Sequence, residues 1–390
     1  MTYAALEACL PDTDAARRSI LSGLNTPHKF FTAVDALLAV IPSLLLHSTH
    51  RSWKPLVWDA LLIAQHLKHT ELQVRLLGVL AQFYIRENNL RAANAIINQA
   101  MQRAHEQNSP ECLLEAYAQY FAVMAHSLHN TIDQTKVDAA LSLMRRVERP
   151  DLLATMYYRI ALCYTITGEY VRARGMAQTA HGYARAAGMR EMSVMTTWLM
   201  AKSCRKAERL SHAEHFLGVA LQISWTDLPD NLHTALAYER GMIFLKRGLM
   251  AVAEKWLQSA LQYAEKSQIW VMVYRAHAAL GYVHTRQGAF TSAAAHFDAA
   301  EAGYRALNNT FEVTAVEVER GCLEARRGCP ATALKSLERA LHSLDALPAT
   351  PACDDLRALI YERIALVRRG VFGTVTPHDS DTPANTIACH

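Results

Sequence analysis

The chain has 390 residues, a formal net charge of +4 and 51% hydrophobic residues. That hydrophobic content excludes disorder over most of the length, and 16 Gly with 12 Pro are too few turn residues for an all-β or α/β chain of this size. Collagen-like, low-complexity and disulfide-scaffold compositions are excluded too, and the charge falls well short of that of a dedicated nucleic-acid binder.

Residues 1–30 read as a short N-terminal cap. No basic stretch followed by an apolar run opens the chain, so no signal peptide is expected. The most apolar early run, Ala33 to Leu46, contains Asp35 and Pro42. A spanning helix needs about 20 apolar residues, so this run is expected to be a buried core helix and the protein soluble and cytoplasmic. Eight cysteines without a CxxC pair read as free thiols in a reducing compartment.

From 31 to 350 the sequence repeats every forty residues. Alanine recurs at Ala60, Ala100, Ala140, Ala180, Ala220, Ala260, Ala300 and Ala340. Seven residues earlier stand Ala93, Asp133, Ala173, Ala213, Ala253, Ala293 and Ala333. Twelve before those come Ala81, Phe121, Ala161, Ala201, Gly241, Gly281 and Gly321. Between the last two columns lies a turn position with Gly168, Gly248, Gly288 and Gly328. Apolar residues at i, i+3, i+4 and i+7 flank that turn on both sides, which predicts two amphipathic helices per unit. Small residues let the helices of a hairpin approach closely, and glycine caps the first helix in a left-handed conformation. One hairpin cannot bury its apolar face alone, so neighbours must stack. Residues 351–370 read as a final capping helix and 371–390 as a disordered tail.

The clearest copies are Leu280-Gly281, His284, Gly288, Phe290, Ala293, Phe297 and Ala300, and Ala161, Tyr164, Gly168, Tyr170, Ala173 and Ala180. These offsets resemble the tetratricopeptide repeat. The usual repeat has about 34 residues, so a period of forty implies longer helices. The resemblance implies an all-α fold, a right-handed α-solenoid of about eight helix-hairpin repeats with a C-terminal capping helix. The unit at 111–150 departs from the pattern, with Asp133 in place of the second-helix Ala and Leu128 in place of the turn Gly. Forty-residue repeats of this type also resemble those of bacterial regulators, among them maltose-activator-type transcription factors and peptide-pheromone receptors of the Rap type.

No P-loop, GxSxG or GxGxxG is present, so no enzyme and no cofactor are expected. The pairs His66/His69, His126/His129 and His212/His215 have a spacing that can place two ligands on one helix face, but no Cys or carboxylate motif accompanies them, and no metal site is expected. Two features remain. The position two before the turn glycine reads Arg86, His126, Ile166, Lys206, Lys246, Arg286 and Arg326, with Lys202, Arg205, Arg247 and Arg327 close by. Such a ladder either complements the helix dipole or faces an anionic partner. Three before the small residue, Tyr158, Trp198 and Tyr238 follow one another forty residues apart. In the tetratricopeptide family first helices line the concave groove. The resemblance therefore implies an aromatic and basic patch there, of Tyr158, Trp198, Tyr238, Lys202, Arg205, Met242 and Tyr282. The alternative is that these aromatics fill the tight inner curve. The family's Lys/Asn carboxylate-clamp pattern is not reproduced.

The expected function is a non-enzymatic interaction scaffold that takes a peptide or helix of a partner protein, acidic if the ladder serves it. A ligand- or peptide-sensing regulator acting through a separate effector is the alternative, with a small ligand as its partner. Nucleic acid ranks third, and no membrane partner is implied.

Overall fold

The computed structural model describes residues 32, 34, 50–87, 89–125, 132–222, 228–347 and 351–371. The expected N-terminal cap and nearly all of the expected tail lie outside them. The described residues form sixteen α-helices and no strand. They are α1 (His50–His66), α2 (Thr70–Arg86), α3 (Leu90–Gln107), α4 (Pro110–Met124), α5 (Gln134–Met144), α6 (Pro150–Ile166), α7 (Tyr170–Ala186) and α8 (Arg190–Lys206). There follow α9 (Leu210–Gln222), α10 (Asp230–Lys246), α11 (Met250–Lys266), α12 (Trp270–Gln287), α13 (Phe290–Ala306), α14 (Thr310–Arg326), α15 (Pro330–Asp345) and α16 (Pro351–Arg368). None of the described helices is long and apolar enough to cross a membrane.

The forty-residue register is kept. First helices of hairpins begin at Thr70, Pro110, Pro150, Arg190, Asp230, Trp270 and Thr310. The first-to-second-helix turns carry their glycines at positive φ, +82° at Gly168 and +84° at Gly328. Most turns between hairpins use the same conformation without the same residue: Lys68, Asn108, Gln268 and Asn308 have φ of 53–54°, whereas Gly188 keeps the glycine at +67°. A left-handed residue thus recurs about every twenty residues, and the amide after it closes the helix end, as Arg209 N–H does on the Cys204 carbonyl at 2.8 Å.

One second helix leaves the register. Helix α5 begins at Gln134, and Asp133 is its N-cap, accepting from the backbone N–H groups of Thr135 and Lys136. The sequence reading placed Asp133 inside that helix. A short carboxylate satisfies orphan amide donors at a helix start and has no such partner in the middle. Val137 and Ala140 nevertheless keep their places in the core.

The chain divides into two compact units, the first ending at Met156 and the second running from Tyr157. In the first, α2, α3 and α4 pack around Leu76, Leu77, Leu80, Phe83 and Ala100, and around Cys112 and Ala116. Arg149 there holds Asp151 at 2.6 Å, with Glu111 and Glu115 within 3.6 Å. In the second unit the two helices of each hairpin differ in burial. Helices α8, α10 and α14 are buried around most of their circumference, whereas α11 buries only Ala253, Leu257, Ala260 and Ala264. First helices also touch one another directly. They form an inner layer, and second helices cover it from outside.

Candidate functional site

The inner layer of the second unit holds every residue the sequence reading proposed for binding. Tyr158 lies on α6, and Trp198, Lys202, Arg205 and Lys206 lie on α8. Tyr238, Met242 and Lys246 lie on α10, Tyr282 and Arg286 on α12, and Arg326 on α14. The aromatic residues do not form one open patch. Tyr158 and Tyr238 are buried, each in a core cluster, and the half-buried Trp198 packs against two. Met242 is buried beside Tyr238, with the half-buried Tyr282 against the same cluster. These side chains form the apolar wall of the inner layer.

A cluster of buried charge adjoins that wall. Arg205 is 0% exposed, and its guanidinium grips the buried Glu239 carboxylate through Nε–H at 2.5 Å and Nη2–H at 3.2 Å. Glu312, 2% exposed, has Arg275 Nη2 at 3.7 Å. Lys206 is buried as well. Lys202 stands over the Trp198 ring with Nζ 5.3 Å from its centroid. Desolvation pulls Lys202 down to about 7, reinforced by Arg275, Lys206 and Arg205 and opposed by Glu239. Desolvation pushes Glu312 up to about 7, against Arg275 and Lys206. One ammonium and one carboxyl therefore both exchange protons near neutral pH. Burial also drives the Tyr238 hydroxyl up to about 12, so it stays a donor. Trp198 Nε1, Tyr238 Oη and both Glu312 carboxylate oxygens are buried without a hydrogen-bond partner in this structure. Buried polar groups are normally paired, so these atoms make the inner layer the place to look for a ligand.

Sequence reasoning missed Glu239, Arg275 and Glu312. The signal was a register violation. Glu239 stands where the hairpins on either side have Leu199 and Ala279, Arg275 where they have Ala235 and Ala315, and Glu312 where earlier ones have Met192, Leu232 and Met272. A charge in an apolar column is an informative observation that a search for repeated residues passes over.

The basic ladder is not a uniform stripe. Lys206 is drawn into the buried cluster, while Lys246 sits in the last turn of α10, 3.3 Å from Glu208. Arg286 and Arg326 are half-buried in the last turns of α12 and α14, where a cation suits the helix dipole. The side chain of Arg86 and all of His126 lie outside what is described. Of the paired histidines, His69 caps α2, its Nδ1 accepting from Leu72 N–H at 3.3 Å.

A different histidine group does assemble, on α12 and α13. His277 Nδ1 and His296 Nδ1 are 2.9 Å apart, so one must donate and the other accept. The ring of His284 stacks on His296 with centroids 5.2 Å apart. Among the described residues no group of three or more His, Cys, Asp or Glu is placed to hold a metal ion. Burial, with His277 and His284 beside it, lowers His296 to about 4 against the pull of Glu254. Burial lowers His277 too, against Glu265. Both shifts run downward, so the folded state binds fewer protons than the unfolded one. The stability they confer is complete above the ordinary histidine range, about 6.5, and is lost as pH falls toward 4. With both rings partly exposed, acidification from about pH 7 to 5 should lower the melting temperature by about 2–4 °C through this pair. His296→Phe, the residue Phe216 supplies at the same register, should flatten that slope in scanning calorimetry. An unchanged slope would show that other groups carry the acid sensitivity.

Among the described cysteines none is in a disulfide. Burial pushes the Cys163 thiol up to about 12, which leaves it unreactive.

No protein-family model and no curated protein matches the chain. Solved structures do. A Rap protein complexed with competence and sporulation factor matches with a TM-score of 0.57 and 13% identity, over 87% of this chain and 99% of that one. The Cut9–Hcn1 hetero-tetramer of the APC/C matches at 0.54 and 14%, over 89% of this chain and 58% of that one. The fold is of the tetratricopeptide type. The apo form of RapI matches the chain at 0.52 and 11%, over 76% of its length and 85% of that one. At such identities the likeness settles the fold, and function has to be argued from the inner layer itself.

Proposed function

We propose that the chain is a regulatory interaction module, without catalytic chemistry of its own, that takes a peptide segment of a partner on the inner layer of its second unit. The observation that carries this reading is the set of buried polar atoms without a hydrogen-bond partner at Trp198, Tyr238 and Glu312 beside an apolar wall. A backbone-bearing ligand supplies both the acceptors and donors those atoms lack and the side chains such a wall accepts. Trp is among the residues that dominate binding energy at interfaces.

The test is selection of binders from a displayed random-peptide library, followed by affinity measurement on wild type and Trp198→Ala. The variant is expected to weaken the selected peptides by about tenfold or more, with helix content unchanged by circular dichroism. Equal affinity would remove the inner layer as the binding face.

The likeness to a Rap protein in complex with competence and sporulation factor supports a second reading, a sensor that passes ligand binding on to a separate effector. Small-angle scattering separates the two. A sensor contracts on binding, and a scaffold keeps its dimensions. The ladder lends little to nucleic-acid binding, since Lys206 is buried and Lys246 is engaged with Glu208.

A further inference from the structure

We propose that His277 and His296 form a two-nitrogen site for a divalent late-transition ion, nickel, copper or zinc, which ties α12 to α13. The inference is independent of the peptide reading. His277 and His284 stand seven residues apart on α12, which places them two turns apart on one face. His296 of α13 packs against both, with its ring centroid 5.1 Å from that of His277 and 5.2 Å from that of His284. The Nδ1 atoms of His277 and His296 are 2.9 Å apart. Two imidazole nitrogens on one ion, with bonds of about 2.0–2.1 Å at roughly 90–109°, lie about 2.8–3.4 Å from each other. Two ligand atoms from different helices therefore already stand at the separation of a chelating pair. The terminal torsion of histidine is broad, so the rings can swing both lone pairs onto a shared ion. All three rings are half-buried, which leaves water a way to the pair.

The repeat does not ask for these histidines. The positions of His277, His284 and His296 read Ala237, Phe244 and Trp256 in the hairpin before, and Glu317, Glu324 and Ser336 in the one after. No other hairpin of the second unit has a histidine at any of the three. Packing is thus met there by quite different side chains, and what the imidazoles add is chemistry: imidazole is a ligand that nickel, copper and zinc share. The local field suits a cation. The Glu254 carboxylate acts on His296 and that of Glu265 on His277. Glu254 is held in place by Nε2–H of Gln287 at 2.9 Å and of Gln258 at 3.2 Å, with Oε1 3.9 Å from His284 Nε2. Fixed carboxylates beside two neutral ligands favour a positive ion. Among the described residues no set of three side chains is placed to ligate, so water completes the shell.

Calorimetric titration of Ni2+ into the 390-residue chain tests the site, nickel being chosen because it does not oxidise the exposed Cys329. One ion per chain is expected in the tightest class. His277→Ala and His296→Phe should each weaken it by at least about tenfold, since loss of a mere orienting partner already costs that much. Ala237 and Phe216 hold those positions in other hairpins, so both variants should fold, which circular dichroism checks. His212→Gln/His215→Gln should bind as wild type does. Ni2+ at about 100 times its dissociation constant should raise the wild-type melting temperature by about 5 °C or more, and that of either ligand variant by about half as much or less. X-ray absorption at the nickel edge of the wild-type complex should show two imidazole ligands, a readout that needs no variant. The site is overturned if wild type binds no nickel, if either ligand variant keeps the wild-type affinity, if His212→Gln/His215→Gln loses the ion instead, or if the absorption spectrum shows no imidazole pair.

Discussion

Arg205→Leu alone is expected to destabilise the second unit by about 3–5 kcal/mol, because it strands the Glu239 carboxylate, 2% exposed, without its bidentate partner. The double replacement Arg205→Leu/Glu239→Leu should return stability to within about 1 kcal/mol of wild type or exceed it, as apolar replacement of buried ion pairs commonly does. The repeat itself supplies the precedent. Leu245 stands at the register position of Arg205 and Leu199 at that of Glu239, so both leucines already fit this layer. Urea unfolding of the two singles and the double closes the cycle, with a coupling energy of at least about 2 kcal/mol expected. A single Arg205→Leu variant within 1 kcal/mol or so of wild type would mean that the pair does not hold the layer together. The cycle also speaks to function. A double variant that folds but binds no peptide would locate the use of the ion pair in the ligand site, and it would explain why two hairpins keep charges where their neighbours keep aliphatics.

That contrast marks how far the sequence was legible. Helix positions followed from repetition, because a column such as Ala100, Ala140, Ala180 and Ala220, each 0% exposed, records a close approach that every hairpin must make. The turns at Lys68, Asn108, Gln268 and Asn308 escaped notice, since a left-handed residue leaves a clear trace only when it is glycine. Asp133 was misplaced for a related reason: its column predicts a small core residue, and its chemistry, a helix N-cap, operates locally. At the site, Tyr158, Trp198 and Tyr238 could be found because they repeat. Glu239, Arg275 and Glu312 could not, because they are the members that break the repeat, and their partners lie on helices 34 to 37 residues away. Repetition encodes the architecture, and departures from it encode the buried ion pairs.

A recurring packing constraint is also written in one register, between position n of a first helix and n+16 of its partner. A Cβ added at Gly281 would lie 2.6–2.9 Å from three ring carbons of Phe297, whereas at Gly241 the nearest atom, at 2.7 Å, belongs to Leu257, and at Gly321, at 2.8 Å, to Leu337. The helix-propensity gain of Gly→Ala is about 1 kcal/mol. Against a branched aliphatic chain that can turn aside, this gain roughly offsets the crowding. Against the Phe297 ring, fully buried between neighbouring hairpins, it does not, and Gly281→Ala should cost about 1–3 kcal/mol. Phe297→Ala should cost more, about 3–5 kcal/mol, by opening a cavity beside a glycine that offers nothing to fill it. The two positions are coupled, so Gly281→Ala/Phe297→Leu should recover most of the loss, because the hairpin of α8 and α9 already carries that combination as Ala201 and Leu217, 0% and 1% exposed. Urea midpoints of the three variants decide the matter. If Gly281→Ala were as stable as wild type, the α12–α13 hairpin would have slack at this crossing, and the alternation of small and large residues along the repeat would reflect helix propensity in place of fit.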